Sequence, residues 1–175
     1  MSGASRPGLE AHLAALGTAP EAFARGREAA FSVALPFPAT AVRNVAICGM
    51  TNGAAAGEMV LDACLERMLL PVSVEGGYRL PGWVGEDTLV ILLSSSGATE
   101  ETLTCASLAT ERNALCVAVT GGGKLGTHYA DEGVAVVPVP VDGLPGAATV
   151  EFVAVVATLL ERLGVMPLQE GEIDE

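Results

Sequence analysis

Thr88-Leu89-Val90-Ile91-Leu92-Leu93-Ser94-Ser95-Ser96-Gly97-Ala98-Thr99-Glu100-Glu101 is the stretch that decides the fold. Leu89 to Leu93 is an unbroken apolar run, the pattern of a strand covered on both faces. Three serines and a glycine end it. Thr99, Glu100 and Glu101 then open a helix, with a capping-type residue followed by two acids in the first turn. A buried strand, a hydroxyl-rich loop and a helix make one βα unit.

The same alternation repeats outward from this unit. Apolar, β-favouring runs occur at Val42–Cys48, Pro71–Glu75, Thr88–Ser94, Leu115–Thr120 and Gly133–Pro138. Helical patterns separate or follow them at Gly53–Leu70, Thr99–Arg112, Leu125–Asp131 and Ala147–Leu163. Strands alternating with helices imply right-handed crossovers and a parallel sheet covered on both faces. The predicted fold is α/β: a three-layer α-β-α sandwich with a five-stranded parallel sheet, Rossmann-like or flavodoxin-like. In the helix Gly53–Leu70, the spacing predicts a buried stripe of Leu61, Cys64, Leu65, Met68 and Leu69, with Glu58, Asp62 and Glu66 turned to water.

Before the first strand, Met1–Pro7 reads as a tail, and Gly8–Leu16 and Pro20–Leu35 carry helical patterning that Pro36 and Pro38 stop. After the last helix, Met166–Glu175 is an acidic tail. The expected organisation is 1–41 for tail and helices, 42–165 for the α/β domain and 166–175 for the C-terminal tail. The last helix carries two apolar stripes. One is Val150, Val153, Ala154, Ala157 and Leu160; the other is Phe152, Val155, Val156, Leu159 and Leu163. Two stripes suit a helix that packs on its own sheet and on a second copy of the chain, or one sunk in a large core.

Composition narrows the function classes. The 175 residues suit one domain. Hydrophobic residues make up 50% and charged ones 17%, which excludes disorder over most of the chain. Aromatics are only 4%, so Ala, Val and Leu must fill the core. The 21 acids outnumber the 9 Lys plus Arg, giving a net charge of −12, and Lys124 is the sole lysine. Nucleic-acid binding rests on basic residues that this chain lacks, and anionic membranes are disfavoured for the same reason. Any phosphate bound here must be held by backbone N–H groups, hydroxyls and helix termini. Met1–Pro7 has no signal-peptide pattern, and Ala147–Leu160 is too short to span a bilayer and carries Glu151. The expected setting is cytoplasmic. Cys48, Cys64, Cys105 and Cys116 lack metal-ligand spacing and read as small core residues, with no metal site.

In a doubly wound sheet, ligands sit beyond the carboxyl ends of the strands. Four loops reach that edge: Gly49-Met50-Thr51-Asn52-Gly53, Ser94–Glu101, Gly121-Gly122-Gly123-Lys124 and Asp142-Gly143-Leu144-Pro145-Gly146. The serine loop is the most specific. Its short hydroxyl side chains and the helix N-terminus make an anion cradle from Ser94, Ser96, Gly97 and Thr99, unless Thr99 serves only as an ordinary helix cap. Gly49, Thr51, Asn52 and Lys124 are the further candidates for contacting a ligand. A nucleotide P-loop is excluded, because Ala118 stands where the upstream glycine is needed and Leu125 follows Lys124. No GxSxG elbow exists for a hydrolase nucleophile. His12 and His128 read as structural or surface residues, and Tyr78 and Trp83 as a lid over the second crossover.

Tyr78-Arg79-Leu80-Pro81-Gly82-Trp83-Val84-Gly85, Asp87-Thr88-Leu89-Val90, the serine loop through Leu103 and Thr120–Leu125, taken together and in order, resemble the sugar isomerase (SIS) domain. They are similar to the N-terminal half of bifunctional phosphoglucose/phosphomannose isomerases. The resemblance runs from about Arg43 to about Leu163. It implies a hexose phosphate ligand, aldose–ketose chemistry through an enediol, and no metal or organic cofactor. It places the phosphate on Ser94, Ser96 and Thr99. It also exposes departures. The family's first-loop serine falls on Gly53, two glycines become Thr51 and Asn52, a tyrosine becomes Ser95, and an asparagine becomes Ala98. The arginine that stabilises the enediolate falls on Gly146. The second half, which supplies the base glutamate and the ring-opening histidine, has no counterpart. Glu58, Lys124 and His128 are the nearby titratable residues, and none matches the family's base. Losing a positioned electrostatic stabiliser costs about 10²–10³ in rate, whereas binding tolerates such losses better. The chain therefore reads either as a sugar-phosphate isomerase or a subunit of one, completed by a second copy or a separate catalytic half, or as a non-catalytic phosphosugar-binding module.

Overall fold

Leu89, Val90, Ile91, Leu92 and Leu93 are all buried in the middle of the sheet, in a computed structural model that describes residues 17–140 and 145–167. Burial of each such side chain is worth roughly 1.5–3 kcal/mol, which makes this run the hydrophobic centre of the molecule. The strands are β1 (Asn44–Gly49), β2 (Val72–Glu75), β3 (Thr88–Ser94), β4 (Leu115–Thr120) and β5 (Ala135–Pro138). All pair in parallel in the order β2-β1-β3-β4-β5. The helices are α1 (Ala19–Ser32), α2 (Asn52–Cys64), α3 (Glu100–Glu111), α4 (Gly123–Asp131) and α5 (Pro145–Arg162). This is the three-layer α/β arrangement that the alternation predicts.

Side chains alternate along each strand and so divide the core in two. Val45, Ile47, Leu89, Ile91, Val117 and Val119 face α1, α2 and α5. Ala46, Cys48, Val90, Leu92 and Ala118 face α3 and α4, together with Leu80 and Val84 from the second crossover. Tyr78 and Trp83, expected to pack as a lid, stay about half exposed, and the smaller Leu80 and Val84 cover the sheet instead.

Helix α2 departs from the predicted pattern. It stops at Cys64, and a 3-10 turn at Leu65–Arg67 follows. The buried stripe is Gly53, Ala56, Gly57 and Val60, while Leu65 and Leu69 are 62% and 67% exposed. The reason is close approach. A Cβ on Gly57 would lie 3.0 Å from Ile47 Cγ2 and 3.2 Å from the Val74 methyls, so the small-residue side of the helix lies on the sheet. The tighter turn then shifts the helical phase. Of the expected stripe, Cys64 and Met68 still pack against the core.

Helix α5 is apolar on two faces, and α1 of the same chain crosses the one that carries Ala154. At their crossing a Cβ on Gly26 would fall 2.6 Å from Glu151 O and 2.9 Å from Ala154 Cβ. Arg25 pairs with the buried Glu151 at 2.6 Å. Arg162 donates to Ala30 O and Val33 O, satisfying carbonyls at the end of α1. α1 thus covers part of the face that the sequence reading gave to a second copy, and Val150, Val153 and Ala157 on it stay partly buried. Gly8–Leu16, residues 141–144 of the fourth loop and the tail beyond Pro167 lie outside the described residues.

Candidate anion-binding site

β1 and β3 lie side by side, but the chain leaves β1 into α2 on one face and β3 into α3 on the other. The two connecting loops diverge and open a crevice at the carboxyl edge of the sheet. A cavity of about 220 Å³ sits there. The first loop supplies Met50, Thr51, Asn52 and Gly53 to its wall, and the second supplies Ser94, Ser95, Ser96 and Thr99. Leu93 and Phe152 complete it.

The serine loop is organised by its own hydroxyls. Ser94 Oγ accepts the Gly97 N–H at 3.1 Å and stands 2.8 Å from Thr99 Oγ1. Those two hydroxyls use one proton between them, which leaves the other free to donate to a ligand. Ser96 Oγ accepts the Ala98 N–H at 3.2 Å. Thr99 does occupy the N-cap of α3, but its side chain caps no helix amide, because it is turned to Ser94. Helix α2 also begins without a side-chain cap. Two helix N-termini without a side-chain cap therefore abut one cavity, each a partial positive charge, with the Gly53 N–H of α2 taken by Met50 O.

The glycine loop after β4 clamps this arrangement from behind. Gly97, at φ +63°, passes so close to it that a Cβ would lie 1.8 Å from Gly122 O. Leu125 N–H donates to Gly97 O at 2.9 Å, and Gly121 N–H donates to Ser95 O at 3.0 Å.

The candidates from sequence divide into three groups. Ser94, Ser96, Thr99, Thr51 and Asn52 all line the cavity. Gly49 and Gly97 lie behind it; a Cβ on Gly49 would be 3.0 Å from Gly53 Cα, so glycine there lets the first loop close onto β3. Lys124 does not join them. It is exposed and lines a separate groove of about 490 Å³ between α3 and α4, with Ser107, His128 and Asp131. Met50, Ser95 and Phe152 are wall residues that the sequence reading missed.

Electrostatics suit an anion despite the acidic chain. Glu101 hydrogen-bonds the Tyr78 phenol and holds its pKa above the ordinary tyrosine value, and Glu100 lines a different groove beside Tyr78. Neither carboxylate belongs to the cavity wall. Among the described residues, the wall carries no titratable side chain at all. Glu58 is exposed on α2, and His128 is 3.3 Å from Glu132 on α4. The four cysteines are free. Burial pushes the Cys116 thiol up to about 11.

Comparison with known proteins bears on this geometry. No protein-family model matches the chain. A bifunctional phosphoglucose/phosphomannose isomerase of Caldicellulosiruptor bescii is 31% identical over 156 residues, covering 89% of this chain and 46% of that protein. Among solved structures, tagatose-6-phosphate ketose/aldose isomerase of Escherichia coli aligns with a TM-score of 0.53 and 14% identity, over 70% of this chain and 36% of its own. The NanR protein of Vibrio vulnificus, solved in complex with ManNAc-6P, aligns with a TM-score of 0.53 and 17% identity, over 87% of this chain and 60% of its own. The chain has the α/β fold of the sugar isomerase (SIS) domain. Within that class its sequence is similar to the bifunctional phosphoglucose/phosphomannose isomerases, and it spans about half the length of the Caldicellulosiruptor bescii protein. No helix among the described residues is long and apolar enough to cross a membrane.

Proposed function

We propose that this domain of SIS fold binds a sugar phosphate of the hexose 6-phosphate class, with the phosphate in the cavity between β1 and β3. The observation that carries the reading is the Ser94–Thr99 hydroxyl pair set between two helix N-termini without a side-chain cap. Ser96, Thr51 and Asn52 add donors, and Gly49 and Gly97 give the loops their shape. Helix amides and hydroxyls suffice for an oxyanion, so the reading calls for no metal and no organic cofactor. The similarity to phosphosugar isomerases and a neighbour of the same fold holding ManNAc-6P support this ligand class. We assign the binding to residues 42–165 of a cytoplasmic protein.

Isomerisation through an enediol moves a proton, and a general base contributes about 10²–10⁴-fold. The described wall of the cavity offers no such group. We therefore read this chain as the binding part of a sugar-phosphate isomerase, its acid–base groups supplied by a second copy or a separately encoded half. The second reading, a non-catalytic sensor or structural module, is favoured by the same wall. Proton NMR of fructose 6-phosphate with the protein in D₂O separates them. Line broadening without exchange supports binding alone. Deuterium at C1 or C2 means that the isolated chain completes its own site. The absence of both effects refutes the ligand.

A further inference from the structure

Cys48 and Cys105 meet in the core between β1 and α3. Cys48 directly precedes Gly49, where β1 runs into the first loop, and Cys105 lies in the second turn of α3, which starts at the serine loop. Both are fully buried in one apolar cluster with Ala46, Leu92 and Ala106. The two thiols hydrogen-bond each other. That bond holds the Cys105 thiol below its ordinary pKa, against burial and the Glu75 carboxylate, and holds Cys48 protonated. Cys105 is therefore the sulfur of the pair that ionises first, and the thiolate is the reactive form.

The segment Gly76–Arg79 passes over this pair. Cys105 Sγ stands 3.2 Å from Gly77 O and 3.9 Å from Arg79 O. The cover is thinly packed: Gly76, Tyr78 and Arg79 are exposed, and a Cβ on Gly77 would meet nothing within 4 Å. Opening so exposed a segment takes less free energy than unfolding and admits a small oxidant.

We propose that Cys48 and Cys105 form a reversible disulfide when a hydroperoxide oxidises them, and that this bridge between β1 and α3 weakens binding at the anion cavity. The Cys105 thiolate attacks one peroxide oxygen and the O–O bond breaks. A Cys105 sulfenic acid forms, and the departing hydroxide takes up the proton that the thiol released. The Cys48 sulfur then attacks the sulfenic sulfur, the S–O bond breaks, and that hydroxide leaves with the Cys48 proton. The thiols lose two electrons, the peroxide gains them, and two waters leave. The bridge ties the strand behind the first loop to the helix whose N-terminus faces the cavity, and it removes the thiol that donates to Gly77 O. The effect on affinity rests on the phosphate reading of the cavity; the disulfide does not.

The full chain is treated with excess hydrogen peroxide, mapped by non-reducing peptide mass spectrometry, and titrated with fructose 6-phosphate before and after. The expected product is a peptide pair joined through Cys48 and Cys105, lighter by two hydrogens and reversed by dithiothreitol. The oxidised chain melts several degrees higher, because the bridge closes a long loop of the unfolded chain. Its affinity for fructose 6-phosphate falls roughly tenfold or more, the loss expected when one charged hydrogen bond is misplaced. Cys64→Ala keeps the whole response, and Cys105→Ala abolishes it. Links through Cys64 or Cys116, or sulfinic acid without a link, overturn the disulfide. A Cys48–Cys105 link with unchanged affinity overturns its coupling to the cavity. A reduced chain that does not bind overturns the phosphate reading and that coupling with it, while the mapped link still decides the disulfide.

Discussion

Ser94 Oγ and Thr99 Oγ1 stand 2.8 Å apart across the turn that carries β3 into α3. The contact joins the last residue of the most buried strand to the N-cap of the helix that follows. It turns the Thr99 hydroxyl away from α3 and leaves the helix's first amides free for a ligand. Replacing Ser94 by Ala or Thr99 by Val is expected to weaken fructose 6-phosphate binding by roughly 10–150-fold each. The double variant should lose less than the product of the two, because the hydroxyls act as a pair. Calorimetry on the three variants measures this coupling.

Gly97 meets two demands at once, a positive φ and a backbone contact that leaves no room for Cβ. Gly97→Ala has to break the Leu125 N–H to Gly97 O bond or open the glycine loop. We expect a loss of about 3 kcal/mol or more in chemical denaturation, together with loss of sugar-phosphate binding. A stable, fully binding Gly97→Ala protein would show that the clamp is dispensable.

Lys124 is the sole lysine of an acidic chain, and simple charge counting gives it the phosphate. The fold turns it into the α3–α4 groove instead. Lys124→Ala should leave fructose 6-phosphate affinity within about fivefold, since an exposed charge outside the cavity contributes about 0–1 kcal/mol. A fall of the size expected for Ser94→Ala would put the phosphate in the other groove.

Cys116 is held neutral in the folded chain by burial, with its pKa pushed up to about 11 from an ordinary 9.0. The unfolded thiol ionises first as pH rises, so the folded form binds the proton more tightly. The resulting stability is fully present below pH 9.0 and is lost as the pH climbs towards about 11, a change of roughly 2–3 kcal/mol. Denaturation from pH 8 to 11 should show a decline that is shallower in Cys116→Ala.

Much of this molecule is legible in its sequence, for a physical reason. β3 and β4 run as predicted from Thr88 to Ser94 and from Leu115 to Thr120, because doubly buried strands must be continuous apolar runs. The hydroxyl loop could be read for similar reasons, as Ser94, Ser96 and Thr99 owe their places to a local strand–turn–helix pattern. The failures belong to tertiary structure. Gly53 and Gly57, not the bulky Leu65 and Leu69, decide which side of α2 meets the sheet. Phe152 reaches the cavity from α5, and nothing near it in sequence announces that. The Ala154 stripe of α5 is met by α1, which only the crossing at Gly26 reveals.

The central claim is that a sugar phosphate sits between the β1 and β3 loops. Amide chemical-shift mapping by ¹⁵N NMR, with fructose 6-phosphate titrated into the full chain, tests it most directly. The account predicts saturable shifts concentrated at Thr51, Asn52, Ser95, Ser96, Glu100 and Glu101, around the two helix N-termini. Shifts centred on Lys124, Thr127 and His128, or none at any concentration, would contradict it.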